Sequence, residues 1–374
     1  MSLDLTKLET KSKKKVEKYP WDDFKLPNFQ KKLSSKNKEQ FYRELNLLLK
    51  SGVDFKKALE ILIKQNTKSN NKILIEQIKD KIVEGKPVYE TLKETKLFSS
   101  YEYYSIQIGE ETRKLENVLD ELQLFFKKKI ELKRQLVSVF TYPVLVIVVT
   151  LGVLYFMLTK VVPMFSNVFK QFGSELPKST KIILKISENS GIIITLICLF
   201  IAVIASIHFI YKNNETYKKL TSNYILKLPF VGDLVRNIYL SRFCQSMKLL
   251  ISSKTTLITT LELTGKMISF YPLEMAIKQI KVDIIAGYRL TESLQKHKIF
   301  DDRLISMIEV AEQVNQLDHM FEKLTEQYND EIAHKTKMIG VVLEPLIIII
   351  IGVIVGGVMI SMYAPMFDLS KIIK

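Results

Sequence analysis

Three long apolar stretches interrupt a chain that is otherwise dense in charge, and they limit its possible folds more than any other feature. They cover residues 136–158, 191–211 and 338–364. Each reaches the roughly 20 residues a helix needs to cross about 30 Å of hydrocarbon. None shows the polar face that a soluble core helix of this length carries. They are expected to be transmembrane helices 1 to 3. Their concentration explains how a chain with 25% charged residues can still be 47% apolar. The lysine-rich start (Lys7, Lys11, Lys13, Lys14, Lys15) has no apolar run behind it and does not read as a secretory signal, so insertion falls to the internal segments.

Charge near the span ends predicts orientation. Lys127, Lys128, Lys129, Lys133 and Arg134 precede the first stretch, Lys212, Lys218 and Lys219 follow the second, and Lys335 and Lys337 precede the third. These flanks are expected on the cytoplasmic side. Residues 1–135 and 212–337 would then be cytoplasmic, with loop 159–190 and the short terminus 365–374 outside. Loop 159–190 carries lysines of its own, so the charged domains argue for this orientation more strongly than the counts do. The net charge of +15 fits attraction to anionic lipid. No nucleic-acid-binding module accompanies it.

The chain also repeats itself. Phe41-Tyr-Arg-Glu-Leu-Asn-Leu-Leu-Leu aligns with Phe243-Cys-Gln-Ser-Met-Lys-Leu-Leu-Ile, 202 positions later. The same offset pairs Gly85 with Gly287, Leu92 with Leu294, Phe98 with Phe300, Glu110 with Glu312, Pro143 with Pro345 and Pro163-Met-Phe with Pro365-Met-Phe. The period is far longer than that of solenoid repeats. It marks a duplicated unit of helical domain plus span, both copies entering the membrane in the same direction. Phe41, Leu45, Leu48 and Leu49, answered by Phe243, Met247, Leu250 and Ile251, form the stripe of an amphipathic helix. Stops at Gly52, and at Gly85 with Pro87, divide each copy into about six helices. No breaker lies between Leu115 and Tyr142, so the last helix is expected to run straight into its span. The fold class is all-α: a polytopic membrane protein with two repeated helical-bundle domains, 36–135 and 212–337, and three transmembrane helices. Residues 1–35 read as a basic solvated tail, or as a docking segment anchored by Trp21 and Phe24.

Sequence chemistry points away from catalysis. There is no phosphate-binding G-x-x-x-x-G-K-[ST] loop, no H-E-x-x-H or paired C-x-x-C, and no G-x-S-x-G elbow. No enzyme activity, cofactor or metal is expected. Cys198 and Cys244 do not make a disulfide framework. Glu110, Glu111 and Glu116, and again Glu309 and Glu312, form acidic clusters open to two readings: weak divalent-cation binding, or pairing with Arg113, Lys114 and solvent. Glu344 is the one ionisable residue well inside a span and is open to two readings: helix pairing or contact with a partner's membrane segment, or a protonated or interface-solvated carboxylate. Tyr142 holds the matching place in the first span. Pro143 and Pro345 each delete a helical hydrogen bond and are expected to kink their helices at one register. Gly352 and Gly356 give the third span a small-residue face suited to close helix contact.

With these residues in view, the chain resembles the GspF/PilC family, the polytopic platform proteins of type II secretion systems, type IV pili and competence pili. The resemblance covers nearly everything after residue 36. It rests on Leu49-Lys-Ser-Gly52-Val53, Gly109-Glu110 followed by Leu115, Tyr142-Pro143 with Pro163-x-Phe165, and Leu176-Pro-x-x-Thr180. Leu228-Pro-x-x-Gly232 with Arg242-Phe243, and Glu344-Pro345 with Pro365-x-Phe367, complete it. Three places depart: the family's glycine after Gly-Glu is Arg113 in one copy and Asn315 in the other, the second Gly-Glu is Ala311-Glu312, and Ser-Gly-Val becomes Ser253-Lys254-Thr255. The resemblance implies a non-enzymatic, homo-oligomeric platform in the bacterial inner membrane, its N-terminus cytoplasmic. It implies a hexameric assembly ATPase, pilins or pseudopilins and other inner-membrane assembly proteins as partners, and membrane contacts at Tyr142, Pro143, Glu344 and Pro345. The alternative is a membrane scaffold or transporter subunit unrelated to pili.

Overall fold

A computed structural model describes residues 33–65, 69–164, 185, 189–211 and 214–372. The basic tail with Trp21 and Phe24, and the loop motif at 176–180, lie outside the described residues. Every regular element among the described residues is helical. The first repeat comprises α1 (Ser35–Lys50), α2 (Phe55–Gln65), α3 (Ser69–Val83), α4 (Val88–Glu94), α5 (Ser100–Glu111) and α6 (Leu115–Phe156). Helix α6 continues through a π-helical turn at Met157–Val161. Then come α7 (Ser190–Tyr211) and α8 (Glu215–Lys227). The second repeat follows as α9 (Val231–Ser252), α10 (Leu257–Met267), α11 (Tyr271–Ile285), α12 (Leu290–Gln295), α13 (Asp302–Val314) and α14 (Leu317–Ile372).

The boundaries recur because the local signals recur. The Asp54 carboxylate accepts from the Lys56 N–H at the start of α2, and the Thr256 hydroxyl from Thr259 N–H at the start of α10. At the far ends, left-handed residues release the chain from the helix. Gly85 (φ 91°) and Gly287 (φ 92°) stop α3 and α11 alike. Gly52 (φ 79°) corresponds to Lys254 (φ 62°), and Arg113 (φ 57°) to Asn315 (φ 54°). The departures at Lys254, Arg113 and Asn315 therefore fall on positions whose backbone favours glycine, and this chain holds that conformation with other side chains.

Each repeat closes around its own core, and the two cores use the same register positions. Leu45, Leu59, Ile78, Leu92, Ile106 and Leu122 are buried in the first, and Met247, Leu261, Ile280, Leu294, Ile308 and Leu324 in the second. Each such side chain contributes about 1.5–3 kcal/mol by leaving water. The Phe41–Phe98 ring pair, with centroids 6.4 Å apart, returns as Phe243–Phe300 at 5.3 Å. The repeats then join asymmetrically. Leu249, Leu263 and Met267 of the second repeat enter the core of the first. Leu47, the counterpart of Leu249, stays 66% exposed.

Helices α6 and α14 are long and apolar enough to cross a membrane: the runs Leu115–Met164 and Leu317–Ile360 contain windows of mean hydropathy 2.4 and 2.9, barely buried within the chain. Both are continuous from the charged domain into the apolar segment, prolines included.

Candidate functional site

The candidate functional geometry lies where the two repeats meet and pass into their apolar helices. A cleft of about 450 Å³ opens between α6 on one side and α9 with α14 on the other. Its lining mixes both signs: Lys128, Lys129, Arg242 and Lys248 stand among Glu121, Glu131, Glu322, Glu326 and Asp330. Lys248 is its clasp. Its ammonium reaches Glu121 of the first repeat at 2.8 Å and Glu322 of the second at 2.7 Å. Burial alone would lower the Lys248 pKa, but the hydrogen bonds it donates to both carboxylates outweigh it and hold the pKa above the ordinary value. The Glu322 carboxyl is correspondingly held low by its hydrogen bond from Lys248. Beside the clasp, the Arg242 guanidinium lies 5.1 Å from the Tyr239 ring and 5.9 Å from Phe125, a cation–π contact across the seam. Lys114 Nζ donates to the Ser252 carbonyl at 2.6 Å, fastening the turn before α6 to the end of α9.

Just inside the apolar segments the two long helices touch. A Cβ on Gly340 would come within 2.9 Å of Val139 Cγ1, so α14 approaches α6 as closely as a glycine permits. The sequence reading missed Gly340. It stands alone, without the small-xxx-small spacing that marks Gly352 and Gly356, and only the crossing point shows its use. Among the described residues, a Cβ on Gly352, Gly356 or Gly357 would meet nothing within 4 Å. Pro143 is buried, whereas its counterpart Pro345, together with Tyr142 and Glu344, faces outward.

Glu110 and Glu312 do structural work of one kind. The Glu110 carboxylate accepts from the backbone N–H groups of Val88 (2.8 Å) and Tyr89 (2.9 Å), capping α4 from the C-terminal end of the next helix, α5. Glu312 accepts from Leu290 N–H at 2.9 Å and Thr291 N–H at 3.1 Å, and also from the Thr291 hydroxyl. A carboxylate bonded to two N–H groups at a helix N-terminus satisfies donors that would otherwise be orphaned. Gly109 beside Glu110 has its own reason: a Cβ there would lie 3.0 Å from Val118 Cγ2 and 3.1 Å from Leu115 Cα. Ala311 fills the same place, fully buried, in the second repeat. Among the described residues no group of three or more His, Cys, Asp or Glu side chains is placed to hold a metal ion.

The comparisons decide what this duplicated architecture is. The family model for type II secretion system (T2SS) protein F matches twice, at residues 41–163 and 243–365. The chain belongs to the type II secretion system protein F family. The two matches begin and end at the same 202-residue offset read from the sequence. The type IV pilus assembly protein PilC of Thermus thermophilus is 29% identical over 349 residues, 93% of this chain and 86% of that protein. PilC of Pseudomonas aeruginosa is 27% identical, covering 89% of this chain and 90% of its own length. Type II secretion system protein F of Aeromonas hydrophila is 24% identical, covering 89% and 86%. In this protein F family member, each of the two matched ranges is a helical repeat prolonged into an apolar helix.

Proposed function

We propose that the chain is the inner-membrane platform of a type II secretion or type IV pilus-like machine, coupling a cytoplasmic assembly ATPase to pilin or pseudopilin polymerisation. It crosses the membrane three times, through α6, α7 and α14, with its N-terminus and both helical domains cytoplasmic. The observation that carries the mechanism is the continuity of α6 and α14. Each begins inside a packed core, at Leu119 and Phe126 or at Phe321 and Tyr328, and leaves through the apolar segment as the same helix. A displacement of either domain therefore rotates or tilts its span, with no flexible joint to absorb it.

The clasp at Lys248 and the crossing at Gly340 join the two levers at two heights. ATPase-driven motion is converted into a change of angle between α6 and α14. The outward face carrying Tyr142, Glu344, Pro345, Gly352 and Gly356 is where a pilin or pseudopilin helix would pack. The protein itself performs no chemistry in this scheme.

The test uses the full-length chain in nanodiscs with the assembly ATPase encoded nearest its gene, following both association and ATP turnover. Association with altered turnover is expected. A silent ATPase, together with normal fibre assembly by Glu344→Gln and Pro345→Ala chains, would overturn the platform reading.

A further inference from the structure

A cluster of apolar side chains around the α8–α9 turn takes no part in the mechanism above, and among the described residues nothing covers it. Leu220, Tyr224, Ile225, Leu228, Phe230 and Val231 are between 37% and 71% exposed. The turn that presents them is tightly built. Val231 N–H donates to the Pro229 carbonyl at 2.7 Å and Gly232 N–H to the Leu228 carbonyl at 2.8 Å. A Cβ on Gly232 would lie 2.3 Å from the Leu226 carbonyl oxygen, so only glycine fits there. Phe230 is held at φ 63°, a conformation bulky side chains avoid, and its ring is nonetheless turned outward. Strain maintained to present an aromatic ring away from the core points to a use for that ring.

Register gives the turn its height. Helix α9 runs antiparallel to α14, with Asn237 Nδ2 donating to Glu331 at 2.7 Å and the Phe243 ring edge-on to Phe321 at 5.9 Å. Six residues back along α9 from Asn237, about 9 Å of helical rise, stands Val231, level with Lys337. The next residue on α14, Met338, opens the apolar run. The turn therefore stands at the plane where α14 passes from charged to apolar sequence. Helix α8 itself starts close behind the end of α7 and carries Lys218, Lys219 and Lys227, all exposed, around the apolar row.

From this placement we infer that α8 and the Leu228–Val231 turn form a wedge seated in the cytoplasmic leaflet. Tyr224, Leu228 and Phe230 enter the acyl boundary, and Lys218, Lys219 and Lys227 lie on anionic lipid phosphates. The wedge fixes the tilt of the second helical domain against the bilayer. The inference rests on the three-span topology proposed above.

The test places single spin labels on the full chain in nanodiscs of phosphatidylethanolamine and phosphatidylglycerol. The background is Cys198→Ala with the buried Cys244 left in place. Labels at Phe230→Cys and Tyr224→Cys are compared with Val353→Cys in the third span and Val310→Cys on exposed α13. Accessibility to oxygen and to a water-soluble nickel chelate is read at each. The expected result is oxygen favoured over nickel several-fold at 230 and 224, as at 353, with the reverse at 310. Nickel-dominated exposure at both 230 and 224 with 353 still lipid-embedded would overturn the wedge and leave the topology standing. Aqueous exposure at 353 would remove the topology instead. Protection from both reagents at 230 and 224 would overturn the lipid assignment in favour of a covering protein.

Discussion

The two repeats share a backbone and differ at the centre of their cores. In the first, Lys38 is buried with its ammonium 2.7 Å from Glu102, whose carboxylate also accepts from the Tyr42 hydroxyl (2.8 Å) and from the Ser99 N–H and hydroxyl. The same ammonium lies over the Phe98 ring at 4.8 Å. Burial pushes the Tyr42 phenol up, and the charge and hydrogen bond of Glu102 push it further. In the second repeat these places hold Leu240, Leu304 and Cys244, all fully buried. One polar link returns on the rim, where the Tyr328 hydroxyl, standing where the first repeat has Phe126, donates to Asp301. One backbone thus tolerates an ionic or an apolar centre. That is the behaviour expected when a satisfied buried ion pair and a well-packed hydrophobic set come out close in free energy.

The largest expected effect breaks the ionic centre one-sidedly. Glu102→Leu strands Lys38, Tyr42 and Ser99 without their acceptor and is expected to cost about 3–5 kcal/mol. The triple change Lys38→Leu, Tyr42→Cys, Glu102→Leu, which copies Leu240, Cys244 and Leu304 of the second repeat, is expected to cost less than the single change, its remaining loss coming from the volume that Tyr42→Cys leaves unfilled. Thermal unfolding of the detergent-solubilised chain by circular dichroism compares them, and a triple variant as damaged as the single one would show that the centres are not interchangeable.

Next come the features the repeats share. Glu110→Ala and Glu312→Ala should each cost about 1–2 kcal/mol through the lost caps. The loss should be local, read as faster hydrogen exchange in α4 for one variant and in α12 for the other. A larger loss for Glu312→Ala would mean that the Thr291 hydroxyl adds to what the paired N–H groups contribute.

The asymmetric seam ranks third. Lys248→Met removes a partly buried clasp, its side chain 24% exposed, worth about 1 kcal/mol. It should raise exchange along the facing stretches of α6 and α9 while leaving both cores protected. Fourth, Lys254→Gly should stabilise by about 0.5 kcal/mol, and Gly52→Lys should destabilise by about 1 kcal/mol, because the same left-handed backbone is unfavourable for a side chain. Paired melting curves test the opposite signs.

The smallest effect is pH-dependent. The Glu60 carboxyl is held low by its hydrogen bond from Lys57, and its counterpart Glu262 is held at about 2 by hydrogen bonds from Lys266 and Lys281. A carboxyl depressed by folding adds stability above its unfolded pKa and loses it as pH falls through the folded value. The contribution should fade below about pH 4, continuing to about pH 2 in the second repeat. Glu262→Gln should flatten that acid slope in a pH series of unfolding midpoints.

Sequence by itself determined the all-α class, the duplicated unit and its register, because apolar periodicity, caps and stops are local and recur at one offset. It also pointed to the helices running unbroken toward the spans, since a breaker is visible in sequence when present and none stands between Leu115 and Tyr142. Tertiary structure decided the rest. Glu110 and Glu312 read as acidic clusters until the fold set them against N–H groups more than twenty residues away. Gly340 looked like any glycine until α6 crossed it, while Gly352 and Gly356, with the better motif, met nothing among the described residues. Lys38 and Glu102 stand 64 residues apart, and Lys248 and Glu121 stand 127 apart. Such pairings depend on how helices dock, and docking is set by the summed shape of two cores that no local pattern encodes.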